Sequence, residues 1–125
     1  MEQEKTPQPG EIMWTDLTVP DAAQVRDFYQ QVVGWRTSEV DMSGYTDYQM
    51  NQSTTGNPVA GICYRRGSNA QLPPHWLIYI TVENLEASIA TCKSLGGRVI
   101  DGPRDENKLC VIQDPAGAYV ALYQA

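Results

Sequence analysis

At 125 residues the chain has the length of one domain, long enough to bury about two-thirds of the surface its unfolded form would expose. Hydrophobic residues make up 42% and charged residues 19%, the balance of a soluble globular protein. The formal net charge of −6 predicts no nucleic-acid partner, which would demand Lys and Arg to neutralise phosphates. Like charges never run beyond two in a row, so no membrane-binding stripe or polyionic tail is expected either.

The opening MEQEKTPQPG is polar and proline-rich with no apolar stretch, so residues 1–10 read as a flexible segment rather than an export signal. No run approaches the eighteen or so apolar residues of a membrane span. The three cysteines are odd in number and lack metal-type spacing, which suits reduced thiols and a cytoplasmic location.

EIMWTDLTV, residues 11–19, is rich in β-branched and aromatic residues and reads as a strand. In PDAAQVRDFYQQVVGW, Asp21 is placed to cap a helix, with Gln24 three residues on. Val25, Phe28, Tyr29, Val32 and Val33 recur at helical spacing, and Gly34 suits the position just past the helix end. Three shorter strand candidates follow: WRTSEV, TDYQM and VAGICYR. A polar, proline-ended connection, RGSNAQLPP at 66–74, separates this half from the next.

The second half repeats the first. WLIYITV, 76–82, is a strand; Asn84 caps a helix whose apolar positions are Leu85, Ile89, Cys92 and Leu95, and Gly96-Gly97 ends it. Aligning Val19 with Val82 also aligns Gly34 with Gly97, so one offset of 63 residues carries the whole strand-helix unit. RVI, LCVIQ and AYVALYQ complete the second half, the last two joined by the turn Asp114-Pro115-Ala116-Gly117. The pattern predicts an α+β fold of two βαβββ repeats, with cupped mixed sheets and helices on the outside. Repeat one is 11–65 and repeat two 75–125, together one domain over 11–125.

These residues resemble the vicinal oxygen chelate superfamily, which includes glyoxalase I, bleomycin-resistance proteins and extradiol dioxygenases. The marks are the first strand ending in V-x-D, Phe28-Tyr29, Gly34-Trp35, the VENLEAS and GG of the second unit, and DPAG followed by V-A-L-Y-Q. The resemblance implies that four inward strand positions would hold one divalent metal in catalytic members, commonly two His and two Glu. Those positions fall on Trp14, on Leu77 or Trp76 depending on register, on Ala121, and near Ala60. None offers a metal donor, and His75, the only histidine, cannot satisfy a two-histidine site even if a register shift turned it inward. No metal and no cofactor are therefore expected.

Period-two alternation puts Trp14, Asp16 and Thr18 on one face and Leu17 and Val19 on the helix side. It likewise groups Tyr119, Ala121 and Tyr123, and Tyr79 with either Leu77 or Trp76. Ala60, Ile62 and Tyr64 are expected to point inward. The candidate ligand-binding set is thus Trp14, Asp16, Tyr64, Trp76, Tyr79, Tyr119 and Tyr123, with no catalytic residue assigned. A bland account exists for each: Trp14 and Trp76 as core filler, Asp16 bonded to a neighbour, His75 on an exposed loop, and Phe28, Tyr29 and Trp35 packing the helix face. Cys63 and Cys110 are small hydrophobes in this reading, and Arg65-Arg66 a solvated pair.

Two functions follow. One is a metal-independent protein of bleomycin-resistance type that encloses an apolar, aromatic or cationic small molecule in an aromatic cup. The other, implied by the family alone, is a glyoxalase-like lyase or isomerase, or a dioxygenase, with a non-standard metal site. A homodimer is expected in either case.

Overall fold

The structure, a computed structural model, describes residues 6–125. Of the N-terminal segment expected to be flexible, residues 1–5 lie outside the described residues. The chain forms two compact units, Trp14–Trp76 and Leu77–Ala125, the latter joined by the residues before Trp14.

The first repeat is built from β1 (Ile12–Val19), α1 (Ala22–Val33), β2 (Arg36–Asp41), β3 (Thr46–Asn51) and β4 (Pro58–Tyr64). Its strands lie in the order β2-β3-β4-β1. β1 runs parallel to β4, and β2, β3 and β4 are antiparallel neighbours. The second repeat has the same pattern with β5 (Trp76–Val82), α2 (Leu85–Ser94), β6 (Arg98–Arg104), β7 (Leu109–Gln113) and β8 (Tyr119–Gln124), in the order β5-β8-β7-β6. Here β5 is parallel to β8. The fold is therefore α+β, two βαβββ repeats with eight strands and two α-helices among the described residues.

The helix ends follow from local chemistry. Asp21 Oδ1 accepts from Gln24 N at 3.0 Å and Asn84 Oδ1 from Ala87 N at 3.0 Å, satisfying amides that have no partner within the helix. Gly34 closes α1 at φ 85°, a left-handed conformation that glycine adopts without a Cβ penalty, and its N–H donates to Gln30 O.

Each helix covers one face of its own sheet. Under α1, the buried residues Leu17, Val19, Ala22, Tyr48, Met50, Ala60 and Ile62 form a core, with Val25, Tyr29, Trp35, Tyr64 and Trp76 packed against it. Under α2, Leu85, Cys110, Ile112 and Leu122 are buried, joined by Ile80, Val82, Ile89, Cys92, Val99 and Val120. The helical periodicity over-counted these faces. Phe28, Val32 and Val33 are more than half exposed because the stripe Ala22, Val25 and Tyr29 is the one that meets the sheet. Leu95 is exposed because it lies past the last helical residue, where the periodicity no longer applies.

Strand β6 also runs further than the RVI expected from sequence. Register shifts between Val99 and Asp101 and between Asp101 and Arg104 let the strand pass Gly102-Pro103, where proline could supply no ladder amide.

The DPAG turn shows why its residues are so specific. Asp114 Oδ1 accepts from Ala116 N at 2.8 Å and Ala118 N at 3.0 Å, Asp114 N donates to Ala118 O, and Gly117 sits at φ 94°. The carboxylate thus organises the entry to β8. Asp114→Ala removes both side-chain bonds and is expected to cost about 1–2 kcal/mol, read as a lower urea midpoint with an unchanged m-value; Asp114→Asn should recover part of the loss.

Candidate functional site

In each repeat the face away from the helix carries the chemistry. In the first, β1 and β4 pair as Asp16 with Gly61, Leu17 with Ile62, Thr18 with Cys63 and Val19 with Tyr64. Leu17, Val19 and Ile62 belong to the core under α1, so Asp16, Thr18, Gly61 and Cys63 take the opposite face. On β3, Tyr48 pairs with Ile62 and Met50 with Ala60, leaving Asp47, Gln49 and Asn51 on the face of Gly61.

Trp14 and Asp16 meet directly: the indole Nε1 donates to Asp16 Oδ1 at 2.6 Å. Both are half-buried. Gly61 makes room for this carboxylate, since a Cβ there would collide with Asp16 Oδ1 and stand 3.3 Å from Asp16 Cγ. Asp47 is buried and accepts from Tyr64 N at 2.9 Å. Burial pushes the Cys63 thiol well above its ordinary range, and the negative charges of Asp16 and Asp47 push it further. Both effects favour the protonated thiol over the nucleophilic thiolate.

The second repeat is different in character. β5 and β8 pair Tyr79 with Ala121, Ile80 with Leu122 and Thr81 with Tyr123. Ile80, Val120 and Leu122 lie in the core under α2. Leu77, Tyr79 and Thr81 therefore share the helix-free face with Tyr119, Ala121 and Tyr123. Opposite them on β7 stand Leu109, Val111 and Gln113. Ala121 and Thr81 are fully buried, whereas the three tyrosines are half-buried, so the rings are more accessible than those two residues.

The seven candidate residues thus separate into groups. Trp14 and Asp16 are brought together on the first face, and Tyr79, Tyr119 and Tyr123 share the second. Tyr64 does not point inward with Asp16 as its strand position suggested. It lies on the helix side, packed against the core and 6.2 Å from the Tyr48 ring, because the register places Gly61 and Cys63 on the other face. For the same reason Ala60 and Ile62 are core residues, and the family position on β4 falls on Gly61.

Trp76 is also on the helix side. Its Nε1 donates to Tyr29 Oη at 3.2 Å, and its ring meets Tyr29 and Trp35 edge-on at 5.3 and 6.0 Å. The 63-residue offset therefore holds without a bulge, and Leu77 is the counterpart of Trp14. Arg66, expected to be merely solvated, stacks over Tyr45 with Cζ 4.0 Å from the ring centre.

Sequence reasoning missed Gln49, Asn51 and Gly61. The signal was present in TDYQMN, where Asp47, Gln49 and Asn51 alternate with Tyr48 and Met50 and so declare which face of β3 is polar.

Residues 11–122 match the family described as the Glyoxalase/Bleomycin resistance protein/Dioxygenase superfamily. The chain belongs to that superfamily. Among its relatives, the anthracycline biosynthesis protein DnrV of Streptomyces peucetius is 30% identical over 117 residues, 92% of this chain and 42% of that protein. The chain spans less than half the length of the curated relatives it matches. Among solved structures, methylmalonyl-CoA epimerase from Mycobacterium tuberculosis is similar with a TM-score of 0.57 at 14% identity, over 98% of this chain and 92% of that one. A variant of homoprotocatechuate 2,3-dioxygenase from B. fuscum is similar at 0.51 and 19%, over 90% of this chain and 32% of that one. These likenesses establish the fold.

The superfamily's metal-binding members imply a divalent cation at four strand positions, which here are Trp14, Gly61, Leu77 and Ala121. An indole and three side chains without a heteroatom supply no donor, so these residues do not fit the ion. Among the described residues no group of three or more His, Cys, Asp or Glu is placed to hold a metal.

Gly61→Ala tests how the first face is built. The added methyl is expected to displace the Asp16 carboxylate, break its bond to Trp14 and destabilise the fold by about 1–3 kcal/mol. In an amide and indole NMR spectrum, one of the three tryptophan N–H signals should move while the other two stay in place.

Proposed function

We propose that the protein is a metal-independent small-molecule binder that holds an apolar, aromatic or cationic ligand against these faces. The observation that carries this reading is the combination at the four family positions. None supplies a metal-ligating atom; on the first face half-buried Trp14 holds the Asp16 carboxylate, and on the second Tyr79, Tyr119 and Tyr123 are half-buried rings. Tyrosine and tryptophan rings offer broad apolar contact and attract cations through their π-faces. The designation of DnrV as an anthracycline biosynthesis protein supports a flat, ring-rich ligand, since anthracyclines are polycyclic aromatic compounds.

The test is a panel of flat neutral and cationic aromatics followed by thermal unfolding. A ligand present at about one hundred times its dissociation constant should stabilise the fold by about 2.7 kcal/mol, and Tyr119→Ala or Trp14→Ala should weaken that shift. Elemental analysis of purified protein should find well under one zinc, nickel, manganese or iron per chain. About one equivalent, with activity on a hemithioacetal or a catechol, would replace this proposal with an enzymatic one.

A homodimer is the second part of the proposal. Phe28, Val32 and Val33 leave apolar surface on α1 that a second copy could cover. Light scattering should return about twice the chain mass of 13.9 kDa, and Phe28→Glu combined with Val32→Lys should return the mass of one chain. A wild-type mass of one chain at every concentration discards the dimer.

A further inference from the structure

We propose that the second repeat carries a separate binding cleft on its helix side, and that this cleft takes a slender apolar molecule with a positive charge at one end and a carboxylate at the other. The cleft lies apart from the helix-free faces, so it does not depend on the ligand-binding reading above.

The cleft measures about 460 Å³ and opens between α2, the edge strand β6 and the turn from β6 to β7. That size suits a small ligand. Its walls are apolar: Leu85 and Ile89, one turn apart on α2, stand across from Val99 and Pro103 of β6. The start of the helix is held in place, since Leu85 is buried and its N–H donates to Gln124 Oε1 at 2.7 Å. β6 is poorly suited to accept a further strand along its outer edge, because Pro103 has no N–H to donate and two register shifts interrupt it. A small molecule therefore fits this space better than an added strand from a partner.

Two opposite charges mark its ends. Glu86 and Lys93 border the cleft from the two ends of α2, a separation of about 10 Å along the helix axis. Both are exposed, and among the described residues neither forms an ion pair or a side-chain hydrogen bond. β6 leaves the C-terminal end of α2 and runs back along it, so Val99 lies toward Lys93 while Pro103 and Asn107 close the end at Glu86. Asn107 sits at φ 63° on the left-handed turn Asp105-Glu106-Asn107, and its side-chain amide has no hydrogen bond among the described residues.

The Glu86 end thus offers a carboxylate and an amide carbonyl, the acceptors an ammonium requires. The Lys93 end offers an ammonium beside apolar surface, the partner of a carboxylate. Helix polarity alone accounts for an acid in the first turn and a base in the last. It does not account for the apolar channel between them, which restricts the ligand to a chain about as long as the two charges are apart.

The experiment titrates isotope-labelled protein with ω-aminooctanoate, octanoate, octylamine and the α,ω-diamine of the same length, following backbone amide signals by NMR. ω-Aminooctanoate should shift the signals of Leu85, Ile89, Lys93, Val99 and Asn107. It should bind about threefold or more tighter than octanoate or octylamine, the scale of one exposed ion pair. Lys93→Glu makes both ends acidic and should reverse the preference, the diamine binding about threefold or more tighter than ω-aminooctanoate. A loss of fold could not produce that reversal. If octanoate or octylamine binds the wild-type protein as tightly as ω-aminooctanoate, if Lys93→Glu leaves the preference unchanged, or if no signal of the cleft moves, the proposal is overturned. Shifts confined to Tyr79, Tyr119 and Tyr123 would overturn it too, and would assign the ligand to the helix-free face.

Discussion

Four residue pairs between β1 and β4, from Asp16 with Gly61 to Val19 with Tyr64, decide what every side chain of the first repeat can do. In a strand, neighbours point to opposite faces, so a slip of one residue would exchange the two sets entirely. The observed register sends Leu17, Val19, Ala60 and Ile62 under α1 and brings Asp16, Gly61, Gln49 and Asn51 to the other side. The apolar set could not be exposed without forfeiting its burial, roughly 1.5–3 kcal/mol for each large side chain. Core packing thereby dictates the site, although no core residue belongs to it.

The two repeats use one topology for different chemistry. On the first helix-free face the side chains are an indole, two carboxylates, a thiol, amides and hydroxyls, with hydrogen bonds from Trp14 to Asp16 and from Gln49 through Asn51 to Ser38. On the second they are three tyrosines over Leu77, Val111 and Ala121. The turn at Asp114 belongs to neither face. Its carboxylate is consumed by two backbone amides of the turn itself, so it positions β8 regardless of whether Ala121 or an acidic residue follows. A scaffold of this kind lets the requirements of folding and those of binding vary independently.

Much of the fold was legible from residue order. Both helix caps, the closing glycine of α1, the LCVIQ strand and the 63-residue repeat were readable because each depends on a few adjacent residues and on backbone geometry. The separation of Tyr119, Ala121 and Tyr123 from Val120 and Leu122 was readable for the same reason. VAGICY on β4 was not, because apolar residues fill both parities and alternation has nothing to contrast. Tyr64 was misplaced on that account. Phe28, Val32 and Leu95 erred in the other direction, since helical spacing counts apolar residues without knowing how wide a stripe the sheet will cover.

The amino-acid order by itself determined two strand-helix units, their capping and turning points, and the identity of the side chains at Trp14 and Ala121. These are properties of single residues and their near neighbours. Only the tertiary structure decided that Trp76 packs with Tyr29 and Trp35, that Gly61 rather than Ala60 lies beside Asp16, and that Gln49 pairs with Gly61 from the other side. Those outcomes depend on which strands become neighbours and in what register, a choice settled by burying the core of each repeat beneath its helix.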